Sequence, residues 1–92
     1  MEITWTRLAS QDRQRIREYI AEENLFAAIE LDKQIGNKAA SLAAHPLKAR
    51  IGRVEGTREL VIHSHFILIY RLRESQKKIE ILRVLHTAQQ WP

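Results

Sequence analysis

Thr57-Arg58-Glu59-Leu60-Val61-Ile62-His63 runs through Ser64 into His65-Phe66-Ile67-Leu68-Ile69-Tyr70-Arg71-Leu72, two β-rich runs with almost nothing between them. Ile, Val, Leu and aromatic residues at this density favour strands, and so short a link predicts a tight hairpin. Phe66 to Tyr70 is apolar on both parities, the pattern of a central strand covered on both faces. The flanking runs alternate more. Beyond a turn at Arg73 to Lys77, the run Lys78 to Leu85 predicts a third strand, interrupted by Glu80.

Upstream the period changes from two to that of a helix. Residues 47–56, with Gly52 and Gly56, read as a loop, and Pro46 stops what precedes it because it lacks an N–H and drives His45 out of the α region. Ala28, Leu31, Ile35, Ala39 and Leu42 step by threes and fours, one stripe of an amphipathic helix beginning near Leu25 or Phe26. An earlier helix, from about Ser10 to Glu23, carries Ile16, Tyr19, Ile20 and Glu23 on one side. Ser10 is its expected N-cap, Asp12 suits its first turn, and Asn24 is expected to close it in the left-handed region. Two helices so closely joined predict an antiparallel hairpin. Glu2 to Trp5 is expected to add an edge strand. The order predicts an α+β fold: an edge strand, then a helix hairpin packed on a three- to four-stranded, mainly antiparallel sheet. Ile16, Ile20, Leu31, Ile35 and Leu42 should be buried against Leu60 or Val61, Ile67 or Leu68, and Ile81 or Leu82.

Ninety-two residues predict one domain, 1–92, because a second core would have too little chain to bury. At 45% hydrophobic and 28% charged the chain is too apolar for disorder. No apolar run is longer than the five residues of Phe66 to Tyr70, which is strand-sized, so no membrane association is expected. The first residues, Met1 to Trp5, lack a basic and apolar leader pattern, which predicts a cytoplasmic protein. Zero cysteines exclude disulfides, thiolate metal sites and a cysteine nucleophile. The net charge of +4 is divided unevenly. Residues 1–45 hold six Lys/Arg against seven Asp/Glu, whereas residues 46–92 hold nine against four. A basic second half suits an acidic partner, nucleic acid or an acidic protein segment, and equally suits a solvated rim around a sheet.

His63-x-His65 has no third ligand fixed by spacing, so no metal or cofactor is expected. Ser10, Ser41, Ser64 and Ser75 sit in no nucleophile elbow, and Gly52 and Gly56 are too sparse to cradle a phosphate. The group left to consider is Arg53, Arg58, Arg71, Arg83 and His86, with Glu55 and Glu59 among them. Metal-free RNA cleavage needs a base, an acid and cations for the phosphorane charge. His86 has the chemistry for either proton role and the arginines for the last. Arginines paired with Glu55 and Glu59 at a sheet edge fit the same residues without chemistry.

The runs Gly52-Arg53-Val54-Glu55-Gly56-Thr57-Arg58-Glu59-Leu60-Val61-Ile62, Ile67-Leu68-Ile69-Tyr70-Arg71 and Ile81-Leu82-Arg83-Val84-Leu85-His86 together resemble the RelE/ParE superfamily of type II toxin–antitoxin toxins. Trp5, the helix through Asp12 to Ile20 and the stripe ending at His45-Pro46 match its layout, and the likeness is strongest to the ParE, or plasmid-stabilisation, branch. The resemblance implies a toxin neutralised by a cognate antitoxin with an acidic or amphipathic segment that folds on binding. It implies two classes of target: DNA gyrase for ParE-type members, and ribosome-bound mRNA for RelE-type endoribonucleases. A third outcome is a toxin fold that has lost toxicity and acts only in antitoxin or operator complexes. If the chain is a nuclease, His86, Arg83, Arg58 and Arg71 fall at positions similar to the catalytic group. Arg53, Arg58, Arg83, His86 and Trp91 are the expected contacts for target or antitoxin. Thr87 to Pro92 lacks the tyrosine common in nuclease members, and only Lys48 and Arg50 precede Arg53 where those members are lysine-rich. Both departures favour gyrase as target.

Overall fold

In the computed structural model, which describes residues 1–92, a helix hairpin covers one face of a five-stranded sheet. The elements run β1 (Glu2–Trp5), α1 (Arg7–Ala21), α2 (Leu25–Ser41), β2 (Arg50–Ile51), β3 (Arg58–His63), β4 (Phe66–Arg73), a 3₁₀ turn at Glu74–Gln76, and β5 (Lys78–His86). Strand order across the sheet is β1-β5-β4-β3-β2. β1 pairs in parallel with β5, and every other pairing is antiparallel. The fifth strand beyond the expected three or four is β2, two residues of the 47–56 segment that pair with Arg58 and Glu59. So short a pairing has no periodicity to read. Gly56, at φ 83°, makes the turn from β2 back into β3 in a region other side chains resist.

The stripe on α2 faces the sheet as its spacing requires. Ala28, Leu31, Ile35, Ala39 and Leu42 are all buried, in the core with Leu60, Ile62, Leu68, Tyr70, Ile79, Ile81 and Val84 or beside it. Each fully buried Leu or Ile here contributes about 1.5–3 kcal/mol. From α1, Ile16 and Ile20 pack at the margin of this core and stay half-exposed, while Tyr19 is 75% exposed. Val61 is exposed on the opposite face, and Ile67 and Ile69 join Leu85 in a second apolar cluster there.

Two caps differ from the sequence reading. α1 starts at Arg7, four residues earlier than a Ser10 cap would allow. Thr6 is extended and accepts from Ala9 N–H at 3.1 Å, while its hydroxyl donates to the Leu82 carbonyl at 3.1 Å. That second bond crosses 76 residues, so local sequence could not favour Thr6 over Ser10. Asn24 is extended, not left-handed (φ −154°), and its Oδ1 accepts from Ala27 N–H at 3.0 Å. It therefore opens α2 instead of closing α1, the role in which an Asn side chain satisfies an orphan helix donor.

Candidate functional site

The alternation of side chains along a strand places the candidate residues on different faces. Arg71 shares a face with Ile67 and Ile69, away from the helices, and is paired across the ladder with Glu80. Arg71 Nε donates to Glu80 Oε1 at 2.7 Å, and Arg73 lies 3.4 Å from the same oxygen. The Arg71 hydrogen bond is the largest influence on Glu80, and with the two guanidinium charges it holds this carboxyl below its usual range. On the β3 side of that face Glu59, paired with Ile69 and 4% exposed, accepts from Arg53 N–H at 3.0 Å and from Arg50 Nη2 at 3.2 Å. The Arg53 guanidinium is 3.9 Å from Glu59 and mostly exposed. Beyond Ile69 along the strands the same face turns apolar: Ile67 and Leu85 are paired across the ladder, and Leu82 and Trp91 pack against the cluster they form with Ile69.

Arg58 is on the helix side of the sheet, paired with Tyr70. Its guanidinium donates to the carbonyls of Ala49 (2.8 Å) and Leu47 (3.3 Å), tying down the chain that enters β2. Beside it the Tyr70 hydroxyl donates to the Pro46 carbonyl at 2.7 Å. Burial raises the Tyr70 phenol above its ordinary value, with the nearby Arg58 charge opposing.

Arg83 sits where β1 has ended and the outer edge of β5 would otherwise be bare. Residues from α1 and its cap seal that edge. Thr6 N–H and hydroxyl donate to the Ile81 and Leu82 carbonyls, and Asp12 Oδ2 accepts from Val84 N–H at 3.0 Å. Arg83 grips the same Asp12 with two bonds, Nε at 2.7 Å and Nη2 at 3.0 Å. The hydrogen bond to Asp12 raises the Arg83 pKa further above a range in which it is charged anyway.

His86 ends β5 opposite Phe66, on the helix side. Its backbone N–H donates to Gln89 Oε1 at 2.8 Å, and its Nδ1 accepts from Ala88 N–H at 3.0 Å, turning the chain after the strand. The His86 ring stacks on His65 with centroids 5.8 Å apart and planes 7° from parallel, and meets Phe66 edge-on at 5.3 Å. His63 and His65 span the β3–β4 turn instead of sharing a strand face, and no three His, Asp or Glu side chains are placed to hold a metal ion.

The candidates therefore do not converge. Phe66, opposite His86, and Arg71 are five positions apart along β4, roughly 17 Å at strand rise, and the two side chains occupy opposite faces. Arg58 is near the Arg71 end but on the helix side, and Arg83 is held by Asp12. The arrangement offers recognition surfaces more readily than a proton relay beside a phosphate clamp. Sequence reading offered Glu59 as an arginine partner, and Arg50 and Arg53 are the arginines beside it; it did not single out Asp12 as the buried anchor of Arg83, nor His65 and Tyr19 as neighbours of His86. The Asp12–Arg83 pair spans 71 residues, beyond any local signal.

The family described as ParE toxin of type II toxin–antitoxin system, parDE, matches residues 3–91. The candidate toxin Y4kP of Sinorhizobium fredii is 37% identical over 91 residues, covering 98% of this chain and 92% of its own length. Among solved structures, the chromosomal ParDE toxin–antitoxin system of P. aeruginosa superposes with a TM-score of 0.79 at 27% identity, over 94% of this chain and 95% of that one. The RelBE2 toxin–antitoxin complex of Mycobacterium tuberculosis gives 0.60 at 25% identity, over 92% and 95%. The YoeB/ParE toxin of Agrobacterium tumefaciens shares the fold, with a TM-score of 0.67 at 15% identity over 94% and 98%.

Proposed function

The chain belongs to the ParE toxin family of type II toxin–antitoxin systems, and from that membership we propose that it binds DNA gyrase in the cytoplasm and blocks replication. In this reading residues 1–92 are one toxin unit, held inactive by a cognate antitoxin. The toxin acts by binding, with no chemistry of its own. The observation that carries the reading is the separation of His86 from Arg58 and Arg71, together with the commitment of Arg83 to Asp12. RNA cleavage needs proton transfer and phosphate stabilisation at one point, and these groups serve different parts of the surface. The closer superposition on ParDE (0.79) than on RelBE2 (0.60) points the same way. Those relatives are toxin–antitoxin assemblies, which supports an antitoxin partner here.

Induction of the chain in cells, followed by assays of the purified protein on gyrase supercoiling and on ribosomes carrying message, tests this reading. Filamentation, a DNA-damage response and loss of supercoiling are expected, and His86→Gln should keep most of that toxicity. Prompt translation arrest with cleaved message, lost about 10²–10⁴-fold in His86→Gln, would replace gyrase inhibition with ribonuclease activity. Normal growth on induction would leave a non-toxic partner of the antitoxin.

A further inference from the structure

Residues 33–54 hold Lys33, Lys38, Lys48, Arg50 and Arg53 and no Asp or Glu. The fold places both arginines beside Glu59, which leaves the three lysines. Lys33 is 4.0 Å from Glu30, with both side chains largely exposed, and neither Lys38 nor Lys48 pairs with a carboxylate. Lys38 and Lys48 line a cleft of about 310 Å³ at the exposed side of α2, together with Gln34, Asn37 and Ser41. No apolar side chain and no carboxylate enters it. Ser41 Oγ donates to the Lys38 carbonyl at 2.6 Å and accepts from Lys48 Nζ, so the loop after α2 brings a second ammonium to the end of the helix. The negative end of a helix amounts to about half a charge, and two ammonium groups stand at this one. The end is therefore net positive.

Unpaired cations on a convex helix suit a polyanion, and the lining selects among polyanions. A docked peptide or a lipid surface draws on apolar side chains beside the cations, and this cleft has none. Single-stranded nucleic acid is held on aromatic platforms where its bases stack. The exposed aromatic of α2, Phe26, lies eleven residues before Asn37, roughly 16 Å along the helix axis. What the surface does offer is ammonium groups with neutral amide and hydroxyl groups between them, the set that contacts the phosphate oxygens of a duplex. We propose that the exposed face of α2 from Lys33 to Ser41, with Lys48, binds the phosphate backbone of double-stranded DNA. Contacts to phosphate carry no base information, so binding is independent of sequence. A toxin directed at gyrase meets duplex at its target, yet this contact is a property of the chain alone and is measured without the enzyme.

The test titrates the purified full chain onto a fluorescein-labelled DNA duplex of about 20 base pairs, read by anisotropy from about 50 to 200 mM salt. Three lysine–phosphate contacts give a slope of log K against log salt of about −2.7, so affinity should fall about 40-fold over that range, for unrelated duplex sequences alike. Lys38→Gln and Lys48→Gln should each flatten the slope by about one and weaken binding at low salt. Arg15→Gln removes the same charge from an exposed position on α1 and should leave the slope unchanged. All three positions are exposed, and circular dichroism verifies that each variant is folded. No binding at the lowest salt would overturn the proposal. So would an equal change of slope in all three variants, which reports net charge and not a site. Tighter binding to single-stranded RNA of the same length, or to phosphatidylserine vesicles, would replace duplex DNA with that partner.

Discussion

Arg83 on β5 donates two hydrogen bonds to Asp12 on α1, at 2.7 and 3.0 Å, and through them the first helix closes the outer edge of the longest strand. Asp12 is 4% exposed and Arg83 24%, so one partner is buried and the other lies at the boundary. Asp12 also takes the Val84 N–H, so its carboxylate supports a backbone group as well as a charge.

Asp12→Ala should therefore cost about 2–4 kcal/mol in urea unfolding, near the lower end of a broken buried pair because the freed guanidinium can still reach water. Combined with Arg83→Ala in a double-mutant cycle, it should reveal strong coupling. Purely additive losses would mean that the Val84 bond, not the ion pair, holds α1 to the edge.

Packing of the helix hairpin rests on the α2 stripe. Leu31→Ala and Ile35→Ala should each destabilise the fold by about 2–5 kcal/mol, since 6% and 1% exposure leave little room to relax into a cavity. A melting temperature within a degree of wild type for either would place these side chains outside the core.

Two carboxylates set the acid limb of stability. Burial works to raise the Asp32 pKa, but the hydrogen bonds and charges of Arg13 and Arg17 outweigh it, so Asp32, like Glu80, titrates below its usual range. A carboxyl lowered on folding contributes stability that is complete above its unfolded pKa and is lost as pH falls through the folded one. Wild type should thus lose stability below about pH 4–5, the ordinary range of free carboxyls. Asp32→Asn and Glu80→Gln should start lower at neutral pH and fall less steeply. Parallel pH profiles for wild type and both variants would show that these ion pairs do not link folding to protons.

Much of the fold could be read along the chain. The α2 stripe and the two-sided apolar run at Phe66 to Tyr70 are local periodicities that survive folding, because each element keeps the face its spacing creates. Caps were less legible. Thr6 and Ser10 offer the same hydroxyl chemistry, and the choice between them is made by the Leu82 carbonyl. The candidate site was legible as a set of residue types and not as a geometry. A one-residue irregularity in the β4–β5 ladder, between Ile69 and Tyr70, changes the parity on which Arg83 and His86 sit relative to Ile81.

What this sequence determined alone is its class: a helix hairpin on a meander, a basic second half, no thiol chemistry, and motifs sufficient to imply the toxin family. Periodicity, composition and motif spacing are properties of neighbouring residues, and one chain displays them in full. Which arginines are free was decided only by tertiary structure. Asp12, Glu59 and Glu80 take up Arg83, Arg50 and Arg71 across distances of 71, nine and nine residues, and Arg58 spends its guanidinium on backbone carbonyls. A charge is available to a partner only after the fold has paired those it needs for itself. That accounting requires the positions of all the acids at once.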